Sequence, residues 1–178
     1  MSSSSNKPTI AFVAVGSNIK PEHNILLALD RLEKHVDVCA TSSFYRTEPI
    51  DRPDQPKFIN GVWKVQSSFG ARTLKYDILK KIEEDLGRVR TEDRFAPRTI
   101  DLDLILFGDE IIDEPGLFIP DQDIYSRAFV AVPLKELVPN LRIPDTLKPI
   151  SSLSSAKMVE ELILLPKFSS DLKQRLTK

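Results

Sequence analysis

The chain has 178 residues, 41% hydrophobic and 29% charged, with a formal net charge of −1. That length corresponds to one ordinary domain, and a domain of this size buries roughly 70% of its unfolded surface, so it folds without disulfides or a structural metal. The near-neutral charge excludes a broad basic face for nucleic acid or a membrane surface, and the single cysteine, Cys39, excludes an intramolecular disulfide and a cysteine-based zinc site.

Residues 1–8 read as a frayed tail. Met1 to Lys7 lacks both the apolar stretch of a secretory signal and the arginines of a transit peptide. No apolar run reaches the ~20 residues that span a bilayer, so a monomer in the cytoplasm is expected. The first strand is predicted over Thr9 to Val15 and ends at Gly16-Ser-Asn18. Pro21-Glu22 opens a helix, with Ile25, Leu26, Leu29, Leu32 and Val36 at helical spacing. Its two neighbouring histidines, His23 and His35, read as surface residues.

Val36 to Thr47 reads as a second strand, within which Cys39 is expected to pack as a small hydrophobe. The three prolines of Glu48 to Lys57 make that stretch a loop. A third strand follows over Phe58 to Ser67, with Ile59, Gly61, Trp63 and Val65 on one face. Leu74, Ile78, Leu79, Ile82 and Leu86 form the stripe of a second helix from about Ala71, stopped by Gly87. A polar loop leads to a fourth strand over Arg98 to Phe107.

The order β-α-β-β-α-β predicts an α+β fold of ferredoxin-like topology, an antiparallel sheet with helices on one face. A domain over 9–150 would then carry a C-terminal extension, 151–178. Pro120 to Leu137 reads as loop and short helix interrupted at Pro133, and Ala156 to Leu165 has helical character.

The fourth strand carries the chemistry. Period-two alternation puts Ile100, Leu102, Leu104 and Leu106 on the face toward the helices and Asp101 and Asp103 on the other. Carboxylates two residues apart on a strand lie roughly 7 Å apart. Such a pair is either solvated or neutralised by a hard cation such as Mg²⁺, which takes one or two carboxylates plus substrate phosphates. The preceding loop, Gly87 to Arg98, holds Arg88, Arg90, Arg94 and Arg98. Arginine's planar fork fits phosphate oxygens, so this loop reads either as a lid over a polyphosphate or as a solvated loop paired with Glu92 and Asp93.

Leu86-Gly-Arg-Val-Arg90 with Phe95-Ala-Pro-Arg-Thr-Ile-Asp-Leu-Asp-Leu-Ile-Leu-Phe107 resembles the 6-hydroxymethyl-7,8-dihydropterin pyrophosphokinase family. So do Val15-Gly-Ser-Asn18, Ser43-Phe-Tyr-Arg-Thr-Glu-Pro49, Asp54-Gln-Pro-Lys-Phe-Ile-Asn60 and Arg127-Ala-Phe-Val130, in unbroken order. The resemblance implies transfer of pyrophosphate from ATP to the pterin's hydroxymethyl group, with release of AMP. It implies that Asp101 and Asp103 hold two Mg²⁺ ions, that Arg88 and Arg98 join them in catalysis, and that Glu83, Arg88, Arg90, Arg98 and Arg127 serve the nucleotide. Phe58 and Phe129 would sandwich the pterin, Asn60 would hydrogen-bond it, and Thr47, Glu48 and Ile50 would read its edge.

Without the resemblance, Phe58 and Phe129 read as core residues, and Asn60 reads equally as a strand-end turn residue. The chain departs from the family at Asp121, where histidine is common, and at Phe95, where tryptophan is common. Two rivals make different predictions: a non-catalytic binding module would form no AMP, and a metal-dependent nucleotidyltransferase would release pyrophosphate.

Overall fold

A computed structural model describes residues 7–49, 53–93, 96–153 and 161–177. The expected N-terminal tail falls largely outside these residues, as do Ile50, Arg94 and Phe95.

The fold is α+β. Strand β1 (Thr9–Ser17) leads into helix α1 (Pro21–Leu32), then β2 (Asp37–Thr41), β3 (Tyr45–Thr47) and β4 (Phe58–Ser67). A long helix, α2, covers 71–85 as α-helical Ala71–Thr73, a π-helical stretch Leu74–Leu79, and α-helical Lys80–Asp85. Then come β5 (Asp101–Phe107), the hairpin β6 (Ile112–Glu114) and β7 (Leu117–Ile119), helices α3 (Asp123–Ser126) and α4 (Ala128–Leu137), strand β8 (Ile163–Leu164) and helix α5 (Pro166–Leu176). The main sheet runs β5-β1-β4-β3-β8, with β2 also on β4, and every pairing in it is antiparallel.

Two apolar layers follow from alternation along the central strands. Ala11, Val13 and Val15 of β1 and Ile59, Trp63 and Val65 of β4 face α1 and α2, where Ile25, Leu29, Leu74, Leu79 and Ile82 are buried. Phe12, Val62, Ile105 and Leu106 face the other way and are covered by Ile124, Val130 and Leu134 of α3 and α4, with Ile143 and Ile150. Helices therefore pack on both faces, a correction to the one-sided arrangement expected from the sequence. The chain after β5 supplies the second layer.

Several other expectations change. The second strand breaks in two because Ser42 and Val62 bond differently from a ladder: the Ser42 hydroxyl accepts the Val62 N–H at 2.9 Å, and Phe44 is fully buried. Cys39 is exposed, at a register shift between Val38 and Ala40 on the outer strand. The fourth strand begins at Asp101 and not at Arg98. A register shift between Phe12 and Val13 leaves Ile105 as an extra residue in β5, so Leu106 pairs with Phe12 and joins the second layer, away from α1 and α2.

Helix α4 runs through Pro133 without interruption. Burial of Val130, Ala131, Pro133 and Leu134 outweighs the one hydrogen bond lost. Of the segment expected to be helical from Ala156 to Leu165, residues 156–160 lie outside the description, and Ile163 and Leu164 pair with β3 as a strand. The extension ends in helix α5, whose Phe168 and Leu172 enter the first layer.

Candidate active site

The site is built on the sheet face opposite α1 and α2, at the end of β1, β4 and β5 that α3 and α4 leave open. Cross-strand register sets its floor. Gly16 lies opposite Asn60 on β4 and opposite Asp101 on β5; Ala14 lies opposite Val62 and Asp103. Directly opposed residues share a face, so a row Asn60–Gly16–Asp101 crosses three strands. Strand spacing places Asn60 and Asp101 about 10 Å apart. The middle position has no side chain, and a Cβ there would fall 2.7 Å from the Asn60 Oδ1. Glycine thus leaves a trough between an amide and a carboxylate.

A cavity of about 330 Å³ occupies this trough, lined among others by Thr47, Phe58, Asn60, Arg98, Asp101, Asp103 and Phe129. Phe58 and Phe129 are half-buried, which answers the open question of packing: each presents part of its ring to the cavity. The Asn60 amide donates to the Thr47 hydroxyl at 2.7 Å, a diagonal contact between β4 and β3. Glu48 lines the rim and pairs with Lys57 at 2.5 Å. Arg127 lines the same cavity, 3.9 Å from Asp123.

A second cavity of about 450 Å³ adjoins the first and is lined by Arg88, Val89, Arg90, Thr91, Asp93, Ala96, Pro97, Arg98, Asp101 and Asp103. Arg98, Asp101 and Asp103 line both. The site therefore has one compartment with two aromatic rings and an amide, another rich in arginine, and two carboxylates where they meet.

The arginines are held from beneath. Gly87 takes a positive φ of 77°, ending α2 and turning the chain so that the Arg88 N–H reaches back to the Glu83 carbonyl at 3.0 Å. The buried Glu83 carboxylate then accepts Arg88 at 2.6 Å, Arg90 at 2.8 Å and the Leu102 N–H of β5 at 2.8 Å. A carboxylate in the last turn of a helix opposes the helix dipole; here two guanidinium groups and a backbone donor compensate it. Burial and then Asp101 outweigh these partners, so the Glu83 pKa is raised above the ordinary carboxylate value. Glu83 lines neither cavity.

The two aspartates differ. Asp101 ion-pairs with both Arg88 and Arg98, the latter at 2.5 Å. Burial acts against its charge, but the two arginines prevail and its pKa is lowered. The Asp103 side chain makes no hydrogen bond or ion pair among the described residues. It is exposed and lines the wall that the two cavities share. Crowding by protein, then Asp101, Glu83 and Asp121, raise its pKa well above the ordinary value.

A divalent cation fits this donor set: a hard oxygen pair with one member uncompensated and destabilised by like charge. Among the described residues no cluster of three or more His, Cys, Asp or Glu could hold a metal ion. The protein thus offers two carboxylates, and phosphate or water oxygens would complete the coordination.

Sequence reading did not assign roles to three groups that shape the site. Asn18 takes the Arg98 N–H at 2.8 Å on its Oδ1, donates to the Pro56 carbonyl at 3.3 Å, and so ties β1 to the start of β5 and to the loop before β4. The Ser17 hydroxyl donates to the Thr99 carbonyl at 2.5 Å. Gln55 lines the first cavity with its Oε1 buried and unpartnered among the described residues. The Gly-Ser-Asn and Asp-Gln-Pro motifs were the available signals. Asp121, where the family often has histidine, also lines the first cavity, its pKa raised chiefly by burial.

Known proteins share this sequence over most of its length. The family model described as 7,8-dihydro-6-hydroxymethylpterin-pyrophosphokinase (HPPK) matches residues 12–139. The 2-amino-4-hydroxy-6-hydroxymethyldihydropteridine pyrophosphokinase of Pseudomonas aeruginosa is 42% identical over 137 residues, 75% of this chain and 83% of that protein. Its counterpart in Haemophilus influenzae is 39% identical over 140 residues, 76% of this chain and 86% of the relative. The folic acid synthesis protein fol1 of Pneumocystis carinii is 35% identical over 156 residues, 85% of this chain but 20% of the relative.

In structure, the Plasmodium falciparum HPPK-DHPS wild-type chain superposes with a TM-score of 0.65 at 16% identity, over 97% of this chain and 47% of that one, a likeness of fold. This chain thus spans less than half of that chain. Since the matched stretch runs from β1 through α4 and includes the trough, both aspartates and the arginine loop, the chain belongs to the HPPK family.

Proposed function

We propose that this enzyme transfers the β,γ-pyrophosphoryl group of ATP to the hydroxymethyl oxygen of 6-hydroxymethyl-7,8-dihydropterin, releasing AMP. The observation that carries the reading is the shared boundary: Arg98, Asp101 and Asp103 line both the aromatic and the arginine-rich cavity. A flat heterocycle suits the first and a triphosphate the second, so their reacting ends would meet at these three side chains. The frame reads as ferredoxin-like, a view supported by the strand order, with a catalytic unit over 9–150 and an extension over 151–178.

Phe58 and Phe129 would stack on the pterin, whose ring favours offset contact with aromatic faces. The Asn60 amide, the Gln55 oxygen and the segment Thr47–Ile50 would meet its polar edge, with Gln55 supplying an acceptor that has no protein donor. Arg88, Arg90, Arg98 and Arg127 would hold phosphate oxygens, and Glu83 would act through Arg88 and Arg90. Asp101 and Asp103 would hold Mg²⁺, two ions in the family's manner. Bound there with ATP, Mg²⁺ supplies charge neutralisation at the phosphates and alignment of the reacting oxygens.

In the step itself the hydroxymethyl oxygen attacks the β-phosphorus, the bond from that phosphorus to the bridging oxygen of AMP breaks, and the hydroxyl proton passes to solvent. The arginines stabilise the charge that spreads over the transferred phosphoryl oxygens. Stacking fixes the direction of attack, and the filled cavities exclude water as a competing acceptor.

Product analysis tests the reading. Protein, ATP, Mg²⁺ and the pterin are mixed and the nucleotides resolved by chromatography. Pterin-dependent AMP that disappears with EDTA is expected; ADP or pyrophosphate as the product would overturn it.

A further inference from the structure

The proposed pterin compartment has walls from two elements far apart in sequence. Strand β3 brings Thr47 and helix α4 brings Phe129. Where these elements leave the cavity, both are gripped by the C-terminal helix.

Glu136, in the last turn of α4, accepts the Ser43 N–H at 3.0 Å and the Ser43 hydroxyl at 2.9 Å. Lys173 of α5 donates to Glu136 at 2.8 Å and to the Ser43 hydroxyl at 3.1 Å. Ser43 precedes Phe44, which α5 and the residue that leads into it hold from both sides. The Phe44 N–H donates to the buried Ser169 hydroxyl at 2.8 Å, and the Phe44 carbonyl accepts the Leu165 N–H at 2.9 Å. The Phe44 ring meets Phe168 edge-on at 5.5 Å and presses on β4 at Gly61, where a Cβ would fall 2.6 Å from it. The next residues are β3 itself, paired on its outer side with β8.

Phe129 and Glu136 are seven residues apart, two helical turns on one face, so Glu136 fixes the axial position of the helix that carries Phe129. We propose that α5 is a strap setting the separation of the two pterin walls, with Lys173 and Glu136 as positioning residues for the pterin. This rests on the reading of the first cavity as the pterin compartment.

A strap that only adds stability would lower Tm and leave both substrates' affinities alone. A positioning strap acts on one substrate. Lys173 and Glu136 are partly exposed, so removing either charge leaves the fold intact. In full-length Lys173→Met and Glu136→Gln, pterin KM and the pterin dissociation constant from its fluorescence are expected to rise about five- to tenfold. The KM for ATP stays unchanged, the double variant is no worse than either single, and Lys173→Arg restores the parent value.

Pterin affinity equal to the parent in both single variants, whatever Tm does, overturns the strap while leaving the functional reading intact. Equal losses for ATP and pterin also overturn it. A parent protein that binds no pterin and forms no AMP overturns the functional reading and the strap together.

Discussion

The Arg98 guanidinium lies 5.8 Å from the centre of the Phe58 ring. The same group ion-pairs with Asp101. One side chain thus joins an aromatic wall of the first cavity to a carboxylate shared with the second. Lysine in its place keeps the charge but loses the planar fork and the stacking. Arg98→Lys is expected to raise the KM for both substrates and to cut kcat/KM for pterin about 100-fold, read from initial rates.

The surroundings of Asp103 disfavour its charged form. Replacing Asp103 with asparagine removes like-charge repulsion from Asp101 and Glu83 and removes a proposed metal ligand. Asp103→Asn is expected to abolish AMP formation while Tm, measured without nucleotide or metal, rises by about 2–4 °C. A fall in Tm would show that the carboxylate is stabilised in the free protein.

Glu83 organises both loop arginines and the start of β5. Glu83→Ala leaves Arg88 beside Asp101 without its second partner and the Leu102 N–H without an acceptor. The expected cost is about 3 kcal/mol in urea unfolding, together with a KM for ATP that rises more than that for pterin.

Gly16→Ala places a methyl group 2.7 Å from the Asn60 oxygen. Asn60 must turn, losing its bond to Thr47. A pterin KM higher by about tenfold with the KM for ATP unchanged is the expected result, and a double variant with Asn60→Ala should lose little more than Asn60→Ala alone.

Glu136 gives a pH signature. Burial works against its charge, but Lys173 and both donors of Ser43 outweigh it, so its pKa lies below the ordinary 4.5. A carboxylate depressed in the folded state contributes stability above its unfolded pKa and loses it as pH falls through the folded value. The Tm advantage of the parent over Glu136→Gln should be full at neutral pH, shrink below about pH 4.5, and vanish in stronger acid.

The nearly continuous apolar run of Thr9 to Val15 and the alternation of Phe58 to Ser67 announced the central strands, and the stripe from Leu74 to Ile82 announced α2, because each pattern follows from burial of a regular element. Asp101 and Asp103 were legible for the same reason: charge on alternate positions of an apolar strand has few explanations. Side-chain bonds across the chain were not. Nothing local says that Ser42 would take a backbone donor of β4 and split a strand, that Asn18 would reach Arg98 and Pro56, or that Ser169 would hold Phe44. The irregular turn of α2 and the extra residue in β5 also escape a fixed period, since each shifts the phase of its element after one residue. Helix α4 survives Pro133 through tertiary burial, which propensity does not see.

The extra residue Ile105 also guards against misassembly. Before it, Leu102 and Leu104 pair with Val15 and Val13; after it, Leu106 and Phe107 pair with Phe12 and Ala11. No uniform slide of the strand satisfies both halves. A slide by one residue would also drive Asp101 and Asp103 into the apolar layer beneath α1 and α2, where carboxyl groups without partners are strongly disfavoured. The two carboxylates therefore act during folding as well as in the finished enzyme: they disfavour every odd-residue slide of β5, and the extra residue Ile105 disfavours a uniform even one, so the sheet closes in the frame that delivers them to the cleft.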